Sequence, residues 1–195
     1  MRERFKPEVK KWLRDRAGGF LRELGIRENH KLLDFGCCEG KYTIPAAALV
    51  GDRGMVYALD CEGDYVASTI RKAKKNALQN VVGIVPSNES LAPLPANSVD
   101  VILLFDTLHP GYFPDPESRK TILKGLHKVL RKNGFMCVYL THLQKHGMTY
   151  IKVIEEIEEV GFSLQSDSYK KLVHGNELVK GRILAFTKER KKRRK

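Results

Sequence analysis

The sequence predicts an α/β fold in which apolar strands alternate with amphipathic helices, and three stretches carry that reading. Lys31-Leu-Leu-Asp-Phe-Gly-Cys-Cys-Glu-Gly-Lys41 is a short apolar run that stops in a glycine-bearing turn and leads into a helical stretch. Val56-Tyr-Ala-Leu-Asp60 is a second apolar run ending in a carboxylate. Together they form a strand–loop–helix–strand unit with an acid at the second strand tip, a position suited to a ribose diol. Val99–Phe105 is apolar at every position but Asp100, as a strand covered on both faces should be.

The elements follow in order. Pro7 to Leu24 reads as an amphipathic helix with Val9, Leu13, Phe20, Leu21 and Leu24 on one side, and Gly18-Gly19 is the expected bend. The first strand is Lys31–Phe35 and its helix spans about Tyr42 to Val50. The second strand is Met55–Asp60, followed by a helix over about Asp64 to Leu78 and a third strand at Val81–Val85. Prolines at 93 and 95 make Asn88 to Ser98 a loop. After the fourth strand, Val99–Phe105, a helix runs from Pro116 to Leu130, with Pro at its start and Asn133-Gly134 beyond its end. The fifth strand is Phe135–Leu140. The helix over about Gly147 to Val160 spaces Ile151, Ile154 and Ile157 by three and carries Glu155, Glu156, Glu158 and Glu159 outside. Two closing strands, about Phe162 to Leu172 and Gly181 to Thr187, are expected to pair antiparallel at one edge.

The acids select the nucleotide. A dinucleotide site needs a G-x-G-x-x-G turn, so that bare backbone can approach a pyrophosphate at a helix N-terminus. Here Cys38 stands at the middle glycine, and Asp34 and Glu39 bring negative charge to the place an anion would occupy. Like charges in a closed crevice repel, so a cationic head group fits better than a phosphate. S-adenosylmethionine, with a sulfonium, an ammonium and a ribose, meets that requirement and NAD does not.

LLDFGCCEG resembles the nucleotide-binding motif of class I S-adenosylmethionine-dependent methyltransferases, two apolar residues followed by D-x-G-x-G-x-G. The resemblance continues through VYALD, PSNESLAPLPANSVDVILLFDTLHP and HKVLRKNGFMCVYL, and so covers about residues 30 to 187 in order. The chain departs from the pattern at Cys38, at Asn88 in place of an Asp, and at Arg131-Lys132-Asn133-Gly134 in place of Lys-Pro-Gly-Gly. The resemblance implies a seven-stranded, doubly wound, Rossmann-like sheet, mostly parallel with one antiparallel strand and with helices on both faces. It divides the chain into an N-terminal helical cap (1–29), the methyltransferase domain (30–187) and a basic tail (188–195) on a single globular unit.

Ligands of open α/β sheets sit beyond the C-terminal strand ends, which places the candidate contacts. Asp60 is expected to accept the ribose hydroxyls. Gly36, Cys38 and Gly40 bring backbone to the methionine moiety, and Asp34 holds the loop or the ammonium. Cys61 flanks the adenosine, with Asn88 and Glu89 on the adenine side. Methyl transfer asks the protein for alignment, water exclusion and, for an oxygen or nitrogen nucleophile, a proton acceptor. His109 and Asp106 after the fourth strand and His142 after the fifth are the candidate catalytic residues, with Tyr112 and Phe113 as an apolar wall. His30, His127 and His174 read as surface residues. Cys37, Cys38 and Cys61 lack the spacing of a structural zinc site, so no metal is expected.

Charge and composition bound the rest. Of the formal net charge of +12, residues 188–195 supply +6 and residues 1–16 supply +4, leaving the middle of the chain close to neutral. The basic ends serve solubility or tether RNA or another polyanion. No apolar run is long enough for a membrane span, the N-terminus is too charged for a signal peptide, and four cysteines without a C-x-x-C pair read as reduced thiols in the cytoplasm. Phe105-Asp-Thr-Leu is not the Asn/Asp-Pro-Pro-aromatic end of amino-methylating nucleic-acid enzymes, and neither Cys61 nor Cys137 follows a proline as a cytosine-C5 nucleophile would. The PLP-ansVD and FDtLHp stretches are most similar to small-molecule methyltransferases of the quinone-biosynthesis type. A small-molecule acceptor is therefore the first expectation. An RNA or protein acceptor is the second, and a non-catalytic cofactor-binding subunit the third. The sequence leaves oligomeric state open.

Overall fold

The β1 strand (Lys31–Phe35) lies between β2 (Met55–Leu59) and β4 (Val99–Phe105), parallel to both, because each of the three is apolar enough to be buried on two faces. The computed structural model describes residues 5–86 and 94–188. The assignments of Asn88, Glu89 and residues 189–195 lie outside the described residues. The sheet is completed by β3 (Val81–Ile84), β5 (Leu130–Tyr139), β6 (Phe162–His174) and β7 (Glu177–Lys188) in the order β3-β2-β1-β4-β5-β7-β6. Of the seven strands only β7 runs antiparallel, to β5 on one side and β6 on the other.

Strand alternation sorts side chains onto two layers. Leu32, Val56, Val101 and Leu103 meet α1 (Pro7–Asp15), α2 (Ala17–Glu23) and α3 (Thr43–Val50) on one face. Leu33, Ile102 and Leu104 meet α5 (Pro116–Val129) and α6 (Tyr150–Glu158) on the other. Helix α4 (Gly63–Lys75) packs over β2 and β3 through Val66 and Ala73. The order of strands reverses between β1 and β4, so a crevice opens beyond their C-terminal ends.

Four boundaries differ from the sequence expectation. The first helix breaks at Arg16, which leaves helical geometry at φ −125°, and Gly18-Gly19 lie inside α2. Packing decides that break, since Val9 and Trp12 in one half and Phe20 and Leu21 in the other are all buried. Strand β5 starts at Leu130, directly after α5, so Asn133-Gly134 is strand rather than a stop beyond the helix. A side chain at Gly134 would press on the Asp100 carbonyl at 2.6 Å, at the irregularity between Val99 and Val101. The last helix starts later, at Tyr150, where the Thr149 hydroxyl accepts the Lys152 N–H at 3.2 Å.

The fourth difference bears most on the site. β6 and β7 extend through residues 173–180 as a long hairpin, paired to His174↔Glu177. Polar residues here disguise a strand whose Leu172 and Val173 are buried against the α1–α3 layer. Tyr42, just before α3, fastens it. Its hydroxyl donates to the Val173 carbonyl at 2.7 Å and accepts the Val173 N–H at 2.9 Å, both buried. The hairpin tip thereby reaches the C-terminal ends of the central strands. Among the described residues no helix is long and apolar enough to cross a membrane.

Candidate active site at the strand tips

The loop after β1 is built on bare backbone. Gly36 and Cys37 both donate their N–H to the Leu59 carbonyl, at 2.8 and 2.9 Å. Gly36 adopts φ 83° with the Thr107 side chain packed against it, and Gly40 adopts φ 75° with Thr69 Oγ1 2.9 Å from where a Cβ would stand. A side chain fits at neither place. Cys38, at the position of the motif's middle glycine, takes φ 45°, a conformation that L residues adopt under strain.

Two carboxylates meet under this loop. Asp34 is 3% exposed and its Oδ2 accepts the Thr43 hydroxyl at 2.5 Å. Asp60 is 6% exposed; its Oδ2 accepts the Cys38 N–H at 2.8 Å and its Oδ1 the Glu62 N–H at 3.1 Å. Asp60 therefore holds the glycine loop and the start of α4. The Cys61 thiol lies 3.8 Å from the same Oδ1. These donors are hydroxyl, amide and thiol groups, none of them charged. Burial first, and then the neighbouring Asp60, push the Asp34 carboxyl up to about 6.

Glu39 does not join them. Lys72 Nζ donates to its carboxylate at 3.0 Å and to its carbonyl at 2.8 Å, so α4 neutralises it. The acid pair of the site is Asp34 and Asp60, not Asp34 and Glu39 as the motif alone indicates. Both thiols reach the surface, yet the desolvation of their inner sides, then Asp60 and Asp34, pushes Cys38 up to about 12, and the same desolvation with Asp60 raises Cys61, so both stay protonated near neutrality. Among the described residues no group of three or more His, Cys, Asp or Glu is arranged to hold a metal ion.

The tips of β4 and β5 form the other wall. Asp106 (φ 55°) and His142 (φ 56°) are both left-handed, and backbone strain of this kind gathers at functional sites. Asp106 Oδ1 accepts the Thr141 N–H at 2.8 Å and the Thr141 hydroxyl at 2.6 Å. His109 is 8% exposed, stacked on His146 with ring centroids 5.3 Å apart, and its Nδ1 accepts the Gly111 N–H at 3.0 Å. The neutral ring then carries its proton on Nε2, and burial lowers its pKa. This is the arrangement of a hydrogen-bond donor, which differs from the proton-accepting role expected of His109. Of the expected apolar wall, Phe113 turns into the core while Tyr112 stays outside, 4.7 Å from the His109 ring between centroids. Arg119 anchors this loop: 3% exposed, it bonds the Phe113 and Pro114 carbonyls and pairs with Glu156 at 2.6 Å.

His174, expected on the surface, lies at this wall with its Nδ1 3.3 Å from Asp106 Oδ2. The long hairpin carries it there. No local pattern marks that, because the contact spans 68 residues of chain between positions 106 and 174. Thr141 and Tyr42 escape the sequence reading for the same reason, their partners lying 35 and 131 residues away.

A family model described as a methyltransferase domain matches residues 26–183. A demethylmenaquinone methyltransferase of Geobacillus stearothermophilus is 30% identical over 126 residues, which is 64% of this chain and 49% of that protein. A probable cobalt-precorrin-6B C(15)-methyltransferase (decarboxylating) of Saccharolobus solfataricus is 28% identical over 142 residues, 73% of this chain and 66% of that protein. The chain thus spans between about half and two thirds of the length of these relatives. The crystal structure of an S-adenosylmethionine-dependent methyltransferase from Aquifex aeolicus superimposes with a TM-score of 0.71 at 22% identity, covering 94% of this chain and 99% of that one. The fold, the glycine loop and the family match agree, and the chain belongs to the class I S-adenosylmethionine-dependent methyltransferases.

Proposed function

We propose that the protein transfers a methyl group from S-adenosylmethionine to a small-molecule acceptor. The observation that carries this reading is the pair of buried carboxylates, Asp34 and Asp60, under a loop whose Gly36 and Gly40 leave no room for side chains. Two acids satisfied by uncharged donors favour a cationic ligand and repel a pyrophosphate. Asp60 would accept from the ribose hydroxyls, Asp34 would face the ammonium, and Cys38 and Cys61 would border the nucleoside. Asn88 and Glu89 are proposed for the adenine side. When bound, the cofactor supplies an electrophilic methyl carbon on a cationic sulfur.

The chain's own residues then have to orient the acceptor and keep water out. Asp106 with Thr141 fixes the junction of the β4 and β5 loops. His109, donating from Nε2, and His142 would border the acceptor, with Tyr112 as the movable outer wall. Small-molecule acceptors are favoured by the names of the two relatives, demethylmenaquinone and cobalt-precorrin-6B methyltransferases.

A second reading, an RNA acceptor, is favoured by one feature. A cleft of about 630 Å³ beside α1 and α3 is lined by Lys10, Arg22 and Lys41, cations suited to phosphates, together with Arg14, paired with Asp15, and Lys72, paired with Glu39. Incubation with methyl-labelled S-adenosylmethionine and, separately, metabolite extract or total RNA distinguishes them. Label in a small organic product supports the proposal. Label in RNA alone, lost as salt rises, would overturn the choice of acceptor.

A further inference from the structure

The β6–β7 hairpin delivers one more titratable group to the acceptor wall. His174 is held there from behind, since the adjoining Val173 is locked by both bonds to the Tyr42 hydroxyl. Around its ring stand Asp106 from the end of β4, Tyr139 from β5 at 6.1 Å between centroids, and His142 after β5 at 5.7 Å. Glu177 lies across the hairpin turn, its carboxylate bonded to Lys6 Nζ at 2.9 Å. Asp106 is rigid: Thr141 occupies Oδ1 with two donors, which leaves Oδ2 facing His174 Nδ1 at 3.3 Å. The His174 side chain is 32% exposed, so the ring is within reach of a ligand.

We propose that His174 accepts the proton of the methyl acceptor, with Asp106 as its positioning residue; the inference rests on the methyltransferase reading above. With its proton on Nδ1, toward Asp106 Oδ2, the neutral His174 ring carries its lone pair on Nε2. An acceptor hydroxyl or amine loses its proton to Nε2 as its oxygen or nitrogen bonds to the methyl carbon. The electron pair of the broken carbon–sulfur bond stays on sulfur, and solvent later removes the proton from the imidazolium. Charge and atoms balance without a further reactant. His109 is not placed for this part: its Nδ1 accepts the Gly111 N–H, which leaves the proton of the neutral ring on Nε2.

The tautomer is measurable in the protein without any ligand. Long-range proton–nitrogen correlation spectra should give the neutral His174 ring the Nδ1–H tautomer, the minor form of free histidine. Asp106→Asn should reverse it. The single carbonyl of Asn has to face the two Thr141 donors, which turns its amide N–H toward His174 and moves the ring proton to Nε2. In parallel, His174→Gln should lower methyl transfer from labelled S-adenosylmethionine into metabolite extract by about 10²-fold or more, with affinity for S-adenosylhomocysteine kept within about twofold. An Nε2–H tautomer in the wild type would overturn the proposal, as would full transfer by His174→Gln. If Asp106→Asn fails to fold, the wild-type tautomer and the glutamine variant still decide. A wild type that neither binds S-adenosylhomocysteine nor labels the extract would count against the methyltransferase reading instead, and the tautomer would still decide the Asp106–His174 pairing.

Discussion

Asp60→Ala is expected to lower affinity for S-adenosylhomocysteine at least tenfold. Two hydrogen bonds from ribose hydroxyls to a carboxylate are worth about 1.5–3 kcal/mol each before non-additivity, and 1.4 kcal/mol is a factor of ten. The structure adds a second consequence that the motif alone does not predict. The same carboxylate accepts the Cys38 and Glu62 N–H groups, so the variant leaves two part-buried donors without partners. Stability should fall by about 1–3 kcal/mol. The sheet should survive, because Asp60 follows the last paired residue of β2, Leu59, and its own N–H still reaches the Ile84 carbonyl at 3.2 Å. Calorimetry at a temperature where the variant is fully folded separates the two effects. Unchanged affinity would remove Asp60 from the cofactor site and leave it as a loop tie only.

Asp34→Asn should do the opposite to stability. With its pKa raised from 3.8 to about 6, Asp34 keeps its proton in the folded protein while the unfolded chain has lost it. Its contribution is therefore complete below about pH 3.8 and is lost as pH rises to about 6. At 1.36 kcal/mol per unit, ionising it in place removes up to about 3 kcal/mol. Asparagine is never ionised and can still accept the Thr43 hydroxyl, so above pH 6 the variant should melt about 5–10 °C higher. The difference between variant and wild type isolates this carboxyl from His30, His109 and His127. Burial lowers their pKa values, so their contributions are complete above the free histidine pH and fall away as pH drops. Binding should move the other way. A ligand ammonium favours the ionised carboxyl, so wild-type affinity should rise with pH up to about 6 and then level, and the variant should bind more weakly with no such slope. Equal melting curves across this range would show that Asp34 is ionised without penalty.

Much of the fold was legible because it is written in local patterns. Parallel strands buried on both faces read as apolar runs, and β1, β2 and β4 lie where those runs lie. The glycine loop and the acid after β2 were legible because only bare backbone and a short carboxylate suit that turn. Elements that depend on long-range pairing were not. The hairpin beyond Leu172 is polar in sequence, and only its pairing and the Tyr42 clamp make it a strand. The break at Arg16 is decided by what Trp12 and Phe20 pack against, not by the two glycines that follow. In the site, Glu39 is acidic in sequence but neutralised by Lys72 from another element. His174 is one loop-like residue among many until the hairpin sets it beside Asp106.

Two buried acids under a glycine loop make a site for a cationic nucleoside. Isothermal calorimetry of the wild-type protein with S-adenosylmethionine, S-adenosylhomocysteine and NAD tests it most directly. Saturable binding of the first two and none of NAD is expected. Binding of NAD without binding of either sulfur nucleoside would contradict it.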